Sequence, residues 1–231
     1  MNIGELNLLS AKRRTLNGYY LVDDEDNEVL LPNKYVPSGM VVGDEISVFI
    51  FKDSEDRITA TTIIPNIMLN EFAVLEVIDI NAVGAFLDWG LEKDLLVPYS
   101  EQNERMNIGK SYPVYLFLDE SSQRLVASCK LNRYLESDEI TVKNGEEVNL
   151  LICNQTDLGI NVIINNIHQG LLYDNELFQA VTPGERLVGY VKLVRPHYKV
   201  DVSLKKQGYE NVEPNAEKIL IKLKENAGFL N

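Results

Sequence analysis

Apolar and polar residues alternate along this chain in short runs rather than at helical spacing. Glu45-Ile46-Ser47-Val48-Phe49-Ile50-Phe51 is the clearest case. A period of two puts one face of a strand in a core and the other in water. Around it, Leu6–Arg14, Tyr19–Val22, Val29–Leu31 and Arg57–Thr61 read as four more strands, the third stopped by Pro32. Thr15-Leu16-Asn17-Gly18 is predicted as a hairpin turn centred on Asn17-Gly18, both of which tolerate positive φ. The same reading gives Phe72–Asp79, Gly84–Trp89, Asp94–Val97, Ser111–Leu118 and Arg124–Lys130. A third set follows as Glu147–Cys153, Gly159–Ile164, Ile167–Leu172, Arg186–Val194 and Lys199–Leu204. Tyr99–Met106 reads as a polar connection and Asn132–Asn144 as a polar linker, each with room for one helical turn. Only the last segment changes period. Ala216, Ile219, Leu220 and Leu223 fall at helical spacing after Glu213-Pro214-Asn215, which predicts a short C-terminal helix.

These elements repeat in one frame. Gly18-Tyr19-Tyr20-Leu21 recurs as Gly84-Ala85-Phe86-Leu87 and as Gly159-Ile160-Asn161-Val162. Leu30-Leu31-Pro32 recurs as Leu96-Val97-Pro98 and Leu171-Leu172-Tyr173, and Gly43 as Gly109 and Gly184. Internal repetition of this kind decides architecture before any local assignment does. Five short strands per unit, with a longer link between the third and fourth, describe a five-stranded Greek-key barrel of OB type. The expected fold is therefore all-β: three tandem OB-fold barrels at 1–67, 68–136 and 137–210, then a helix within 211–231 that either packs on the third barrel or is the stub of a further domain.

Composition narrows the function classes. The 231 residues carry a net charge of −13, which argues against a simple polyanion binder, because phosphate neutralisation drives nucleic-acid affinity. The excess is uneven: the first two units each hold −5 and residues 137–208 only −2. Contact with a polyanion must then use a local basic face. No apolar run approaches the roughly 20 residues that span a bilayer, and the amino terminus has no secretory pattern. Cys129 and Cys153, the only cysteines, lie in apolar strands and are expected as buried reduced thiols of a cytoplasmic protein. His168 and His197 are the only histidines; neither has metal-ligand spacing, and no phosphate loop, dinucleotide fingerprint or nucleophile elbow is present. No metal, cofactor or catalytic residue is expected. His168 reads as a satisfied structural histidine.

Val83-Gly84-Ala85-Phe86-Leu87-Asp88-Trp89-Gly90, then Asp94-Leu95-Leu96-Val97-Pro98, Gly109, Asp119 and Arg124-Leu125-Val126-Ala127-Ser128-Cys129-Lys130, resemble the S1 RNA-binding domain. The arrangement as a whole resembles the conserved virulence factor B family, whose members carry three S1-like barrels followed by a winged-helix domain and are regarded as RNA-binding regulators. The resemblance implies base stacking by Phe86, with Tyr20 at the same place in the first unit and Asn161 in the third. It implies backbone contacts from Arg57 and Arg124, where the third unit has Lys199; Lys130 adds a cation at the end of the second unit. The S1 histidine position is filled by Pro32, Pro98 and Tyr173, so that contact is missing from the first two units. Trp89 falls on the opposite strand face from Phe86 by parity and is expected to be structural.

Stacking rings beside cations are what a single strand needs, with flat surfaces for bases and charge for the backbone. The third unit adds Lys192, Arg195, His197, Tyr198, Lys199 and Lys205, a second mixture of cations and aromatics. The expected partner is single-stranded RNA, bound without chemistry by a regulator. Two alternatives stand beside it: an acidic scaffold for a ribosomal or transcription protein, and a DNA-binding transcription regulator acting through the winged-helix-like tail.

Overall fold

The computed structural model describes residues 1–136, 139–177, 179–196 and 199–206. Among these, fifteen strands form three groups of five. The first holds β1 (Leu6–Thr15), β2 (Gly18–Val22), β3 (Glu28–Pro32), β4 (Glu45–Lys52) and β5 (Ile58–Thr61). The second holds β6 (Phe72–Ile80), β7 (Gly84–Leu87), β8 (Leu95–Pro98), β9 (Ser111–Asp119) and β10 (Arg124–Ser128). The third holds β11 (Glu147–Thr156), β12 (Gly159–Ile164), β13 (His168–Tyr173), β14 (Arg186–Arg195) and β15 (Lys199–Ser203). The first and third groups close into barrels in the order one-two-three-five-four. The second has the same order as an open five-stranded sheet, β10-β9-β6-β7-β8. Its β8 and β10 lie alongside each other without the parallel ladder that joins β3 to β5 and β13 to β15. The all-β expectation of three OB-type units holds, with the middle unit curled rather than closed. The short C-terminal helix predicted within 211–231 lies outside the described residues.

The repeated glycines have a geometric cause. Gly18, Gly84 and Gly159 open the second strand of each unit, opposite Pro32, Pro98 and Tyr173. A Cβ there would stand 2.0 Å from the Leu31 carbonyl oxygen, 2.2 Å from that of Val97 and 2.3 Å from that of Leu172. The sequence reading placed Asn17-Gly18 at the centre of the first turn. Instead Thr15 pairs with Gly18, so Leu16 and Asn17 occupy the turn and Gly18 is a strand residue. Close backbone approach, rather than turn chemistry, requires the glycine.

The second glycine of the repeat serves the first strand. That strand pairs with the second strand at one end and with the fourth at the other, and a bulge interrupts its ladder with the second strand, at Ala11/Arg13, Val77/Asp79 and Ile152/Gln155. At each bulge the amide of Gly43, Gly109 or Gly184 donates to the carbonyl of Ala11, Val77 or Ile152, at 2.8 Å in all three. The amides of Ala11, Val77 and Ile152 donate in return to the carbonyls of Asp44, Lys110 and Glu185. All three glycines have positive φ, between +78° and +98°.

Unit one has a core of its own, but two residues of its β4 join the core of unit two. Phe49 and Phe51 of β4 pack in the same cluster as Val77, Leu87, Trp89 and Leu116, with Phe49 edge-on to Trp89 at 5.8 Å between centroids. Trp89 is buried and its indole N–H donates to the Lys93 carbonyl, as its expected structural role requires. Unit three docks on unit two through Phe72, Leu151, Cys153 and Ile163, over which Tyr115 and Tyr134 stack at 3.9 Å. The Phe72 amide donates to Asn166 and its carbonyl accepts from Arg186 at 2.8 Å. The segment expected to be a polar linker is partly core: Val142 is buried in unit three, and His168 is satisfied against it. The Thr141 hydroxyl lies 2.8 Å from His168 Nε2 and the Glu136 carbonyl 3.4 Å from Nδ1.

Two predictions follow from the packing. Gly84→Ala forces a Cβ against a backbone oxygen and should cost about 1–3 kcal/mol, the usual range for overpacking. Trp89 is the only tryptophan and sits in unit two, so its fluorescence in a urea titration reads the effect; an unchanged midpoint contradicts the steric account. Cys129 and Cys153 are free and buried, and burial pushes both thiols up to about 12. A thiol reagent at mildly alkaline pH should label neither in the folded chain and both in denaturant; rapid labelling of the folded chain contradicts that burial.

Candidate nucleic-acid interface

The same face of each unit, formed by its second, third and fifth strands, is concave. In unit one a groove of about 670 Å³ is lined by Tyr20 on β2, Leu30 on β3 and Arg57 and Thr59 at β5. In unit two a smaller cavity of about 180 Å³ is lined by Phe86 on β7, Leu96 on β8 and Arg124 and Val126 on β10. In unit three a groove of about 530 Å³ is lined by Asn161 on β12, Leu171 on β13 and Lys199 and Asp201 on β15. The register makes these positions equivalent, since Tyr20 pairs with Leu30, Phe86 with Leu96 and Asn161 with Leu171. Strand parity explains it: the neighbours Leu21, Leu87 and Val162 point into the cores.

The two rings differ in availability. Phe86 and Tyr20 are each half-buried. The Arg13 guanidinium lies 3.6 Å above the Tyr20 ring and is itself bonded to Glu28 at 2.8 Å, so one face of that ring is covered. Among the described residues no cation covers Phe86.

Most of the predicted cations have carboxylate or carbonyl partners. Arg57 holds Asp53 through Nε at 2.9 Å and Nη2 at 2.8 Å, and Glu55 through Nη1 at 2.8 Å. Arg124 pairs with Asp56, across the junction from unit two to unit one. Its sequence neighbour Asp119 instead accepts from Ser121 and Ser122, which hold its carboxyl down to about 2. One acidic turn, Asp53 to Asp56, thus engages the strand-five arginines of two units. Arg195 is bonded to Asp201 at 2.6 Å and to the Tyr173 hydroxyl at 2.7 Å. Lys199 is exposed at the rim of the third groove, with no ion pair among the described residues. Lys192 pairs with Glu176, and Lys130 donates to the Ser100 carbonyl. The Lys205 amide donates to the Ser203 hydroxyl at 3.1 Å. Lys130, Lys192 and Lys205 line none of the three grooves. His197 and Tyr198 lie outside the described residues.

Sequence reasoning missed three groove cations, Lys34, Lys52 and Lys93, and Arg13 above the Tyr20 ring. No motif marks these residues, and only the fold brings them to these faces. Lys34 of unit one pairs with Glu92 of unit two, and Lys52 donates to the Ser122 carbonyl at 3.2 Å. Lys93 donates from unit two to the carbonyls of Lys52 at 3.0 Å and Asp53 at 2.7 Å. Burial, then the charge of Arg124, pushes the Lys93 ammonium below its ordinary value.

Three OB-type units in tandem, two of them with an aromatic ring on the concave face, define a class of β protein. The S1 domain family profile matches residues 3–63 and 71–130, together just over half of the sequence, and the chain belongs to that family. It is 40% identical over 98 residues to the uncharacterized protein YitL of Bacillus subtilis (strain 168), a stretch covering 42% of this chain and 33% of YitL. Among solved structures, a multidomain protein with nucleic acid binding domains from Streptococcus pneumoniae TIGR4 aligns over 99% of this chain and 82% of its own. It is 19% identical, with a TM-score of 0.49. A Drosophila Unr fragment, CSD456, aligns over 90% of this chain and 98% of its own at 14% identity and a TM-score of 0.21. No helix among the described residues is long and apolar enough to cross a membrane.

The Arg124–Asp56 pair has a pH signature. Arg124's hydrogen bond holds the Asp56 carboxyl below its ordinary value. The tie is therefore complete above the unfolded pKa and lost as pH falls through the lower, folded one. A carboxyl NMR titration should place the Asp56 midpoint below the usual aspartate value, and Arg124→Gln should restore it. A midpoint unmoved by Arg124→Gln contradicts the pairing.

Proposed function

We propose that this chain is a non-enzymatic protein that binds single-stranded RNA through the concave faces of its S1-type units, taken as residues 1–67, 68–136 and 137–210. One observation carries the reading: an aromatic side chain stands at the same position of the second strand in two units, in a concavity with cations at its rim. Membership of the S1 domain family points the same way. Phe86 is the principal stacking ring, because no cation among the described residues covers it, and Tyr20 is the second. Arg57, Arg124, Arg195 and Lys199 supply backbone contacts at the three grooves. A role as a cytoplasmic regulator follows from the likeness to the conserved virulence factor B family, and two buried free thiols suit a reducing compartment.

Binding is weak by construction. Arg57, Arg124 and Arg195 already have carboxylate partners, which an incoming phosphate must displace, and the chain as a whole repels polyanions. Lys199 has no such competitor among the described residues.

Fluorescence anisotropy with labelled RNA oligomers tests the reading. Affinity should fall steeply with salt, and Phe86→Ala should weaken binding by about 1–3 kcal/mol, the value of one stacked base. Absence of binding at low salt and tens of micromolar protein overturns it. Retention of a basic protein partner from nuclease-treated lysate would then favour the scaffold reading, which the carboxylates paired with these cations also suit.

A further inference from the structure

The concavities of units one and two adjoin. Phe51 and Lys93 line both the Tyr20 groove and the Phe86 cavity, so the two meet at the junction. The junction is fixed by contacts at several points. Phe49, Phe51 and Trp89 share the core beneath it. Above, Lys34 pairs with Glu92, Arg124 with Asp56, and Lys52 donates to the Ser122 carbonyl. The two faces therefore present one surface rather than two beads on a linker. Lys93 stands where they meet. Its ammonium spends two hydrogens on the carbonyls of Lys52 and Asp53, and an ammonium has three. Lys52 and Arg124 line the same cavity and Asp53 the neighbouring one.

We propose, resting on the RNA-binding reading above, that units one and two form one continuous track for single-stranded RNA. Lys93 contacts a backbone phosphate between a base on Tyr20 and a base on Phe86. The ligand is then an RNA long enough to cross the junction, and a shorter one occupies a single face without reaching Lys93. The carbonyls that hold Lys93 come from the end of β4 and the β4–β5 turn of unit one, and that turn also carries Asp56. Docking of the two units and placement of the junction cation are thus one arrangement.

The test uses the full chain and labelled oligouridylates of about four and about twelve nucleotides, lengths set by the roughly 4–16 nucleotides that one OB unit covers. Lys93→Gln should weaken the longer oligomer by about fivefold or more and lower its salt slope by about one, while leaving the shorter within about twofold. Lys93→Arg should retain binding of the longer oligomer. Because Lys93→Gln also removes a docking contact, a second measurement isolates the phosphate. Single uncharged methylphosphonates are walked along the longer oligomer against both the wild type and Lys93→Gln. At one internal position the loss seen with wild type should vanish in the variant. Additive losses at every position, or equal weakening of both lengths, overturn the continuous track and leave RNA binding standing. Failure of the wild type to bind either length removes both.

Discussion

Each unit depends on an exchange of two backbone hydrogen bonds at the bulge of its first strand. An OB-type barrel asks that strand to serve two partners, the second strand and the fourth, which run on different sides of the closure. The bulge at Ala11, Val77 or Ile152 makes the bend, and the amide and carbonyl exposed there are met by Gly43-Asp44, Gly109-Lys110 and Gly184-Glu185. Buried backbone groups left unpaired at that corner would be costly, so the turn is as fixed as the strands it joins. Positive φ at the glycine brings its amide round to the bulge carbonyl. Everything on the concave face, including the height at which Tyr20 and Phe86 stand, follows from this corner and from the tight approach at Gly18, Gly84 and Gly159.

Much of this was legible in the chain. The glycine frame marks the positions where backbone approaches backbone, the likeness to the S1 domain puts Phe86 on the open face, and strand parity puts Trp89 on the other. His168 and Trp89 read as structural for sound reasons, since a lone histidine on an apolar strand and a tryptophan on the inward face need no ligand. What failed was anything set between units. Arg124 has Asp119 close by in sequence, yet its partner is Asp56, 68 residues away. No periodicity signals that a turn of one barrel will reach the strand-five arginine of the next. Lys93 lies in a polar loop and reads as a solvated charge, and only the docked core of Phe49, Phe51 and Trp89 gives it its place. The turn at Asn17-Gly18 was misread because a glycine needed for close approach is indistinguishable, in sequence, from one needed for a turn.

The three faces share a frame and differ in equipment. Unit two offers an uncovered ring with an arginine tied across the junction. Unit one offers a ring already covered on one side by Arg13. Unit three has an asparagine in place of the ring and an exposed lysine at its rim. Carboxylates occupy the arginines at each groove, which explains how a chain with a net charge of −13 can present these residues in order while discouraging indiscriminate polyanion binding. Affinity then comes from stacking and from local exchange of carboxylate for phosphate, rather than from a long-range field.

Photocrosslinking tests the central claim most directly. RNA carrying a photoreactive uridine, bound to the full chain and irradiated, should crosslink to the second strands of units one and two, with Phe86 the principal site and Tyr20 the next. Crosslinks confined to unit three, or lying on the convex surfaces of the first two units, would contradict the assignment of the concave faces as the place where this protein meets RNA.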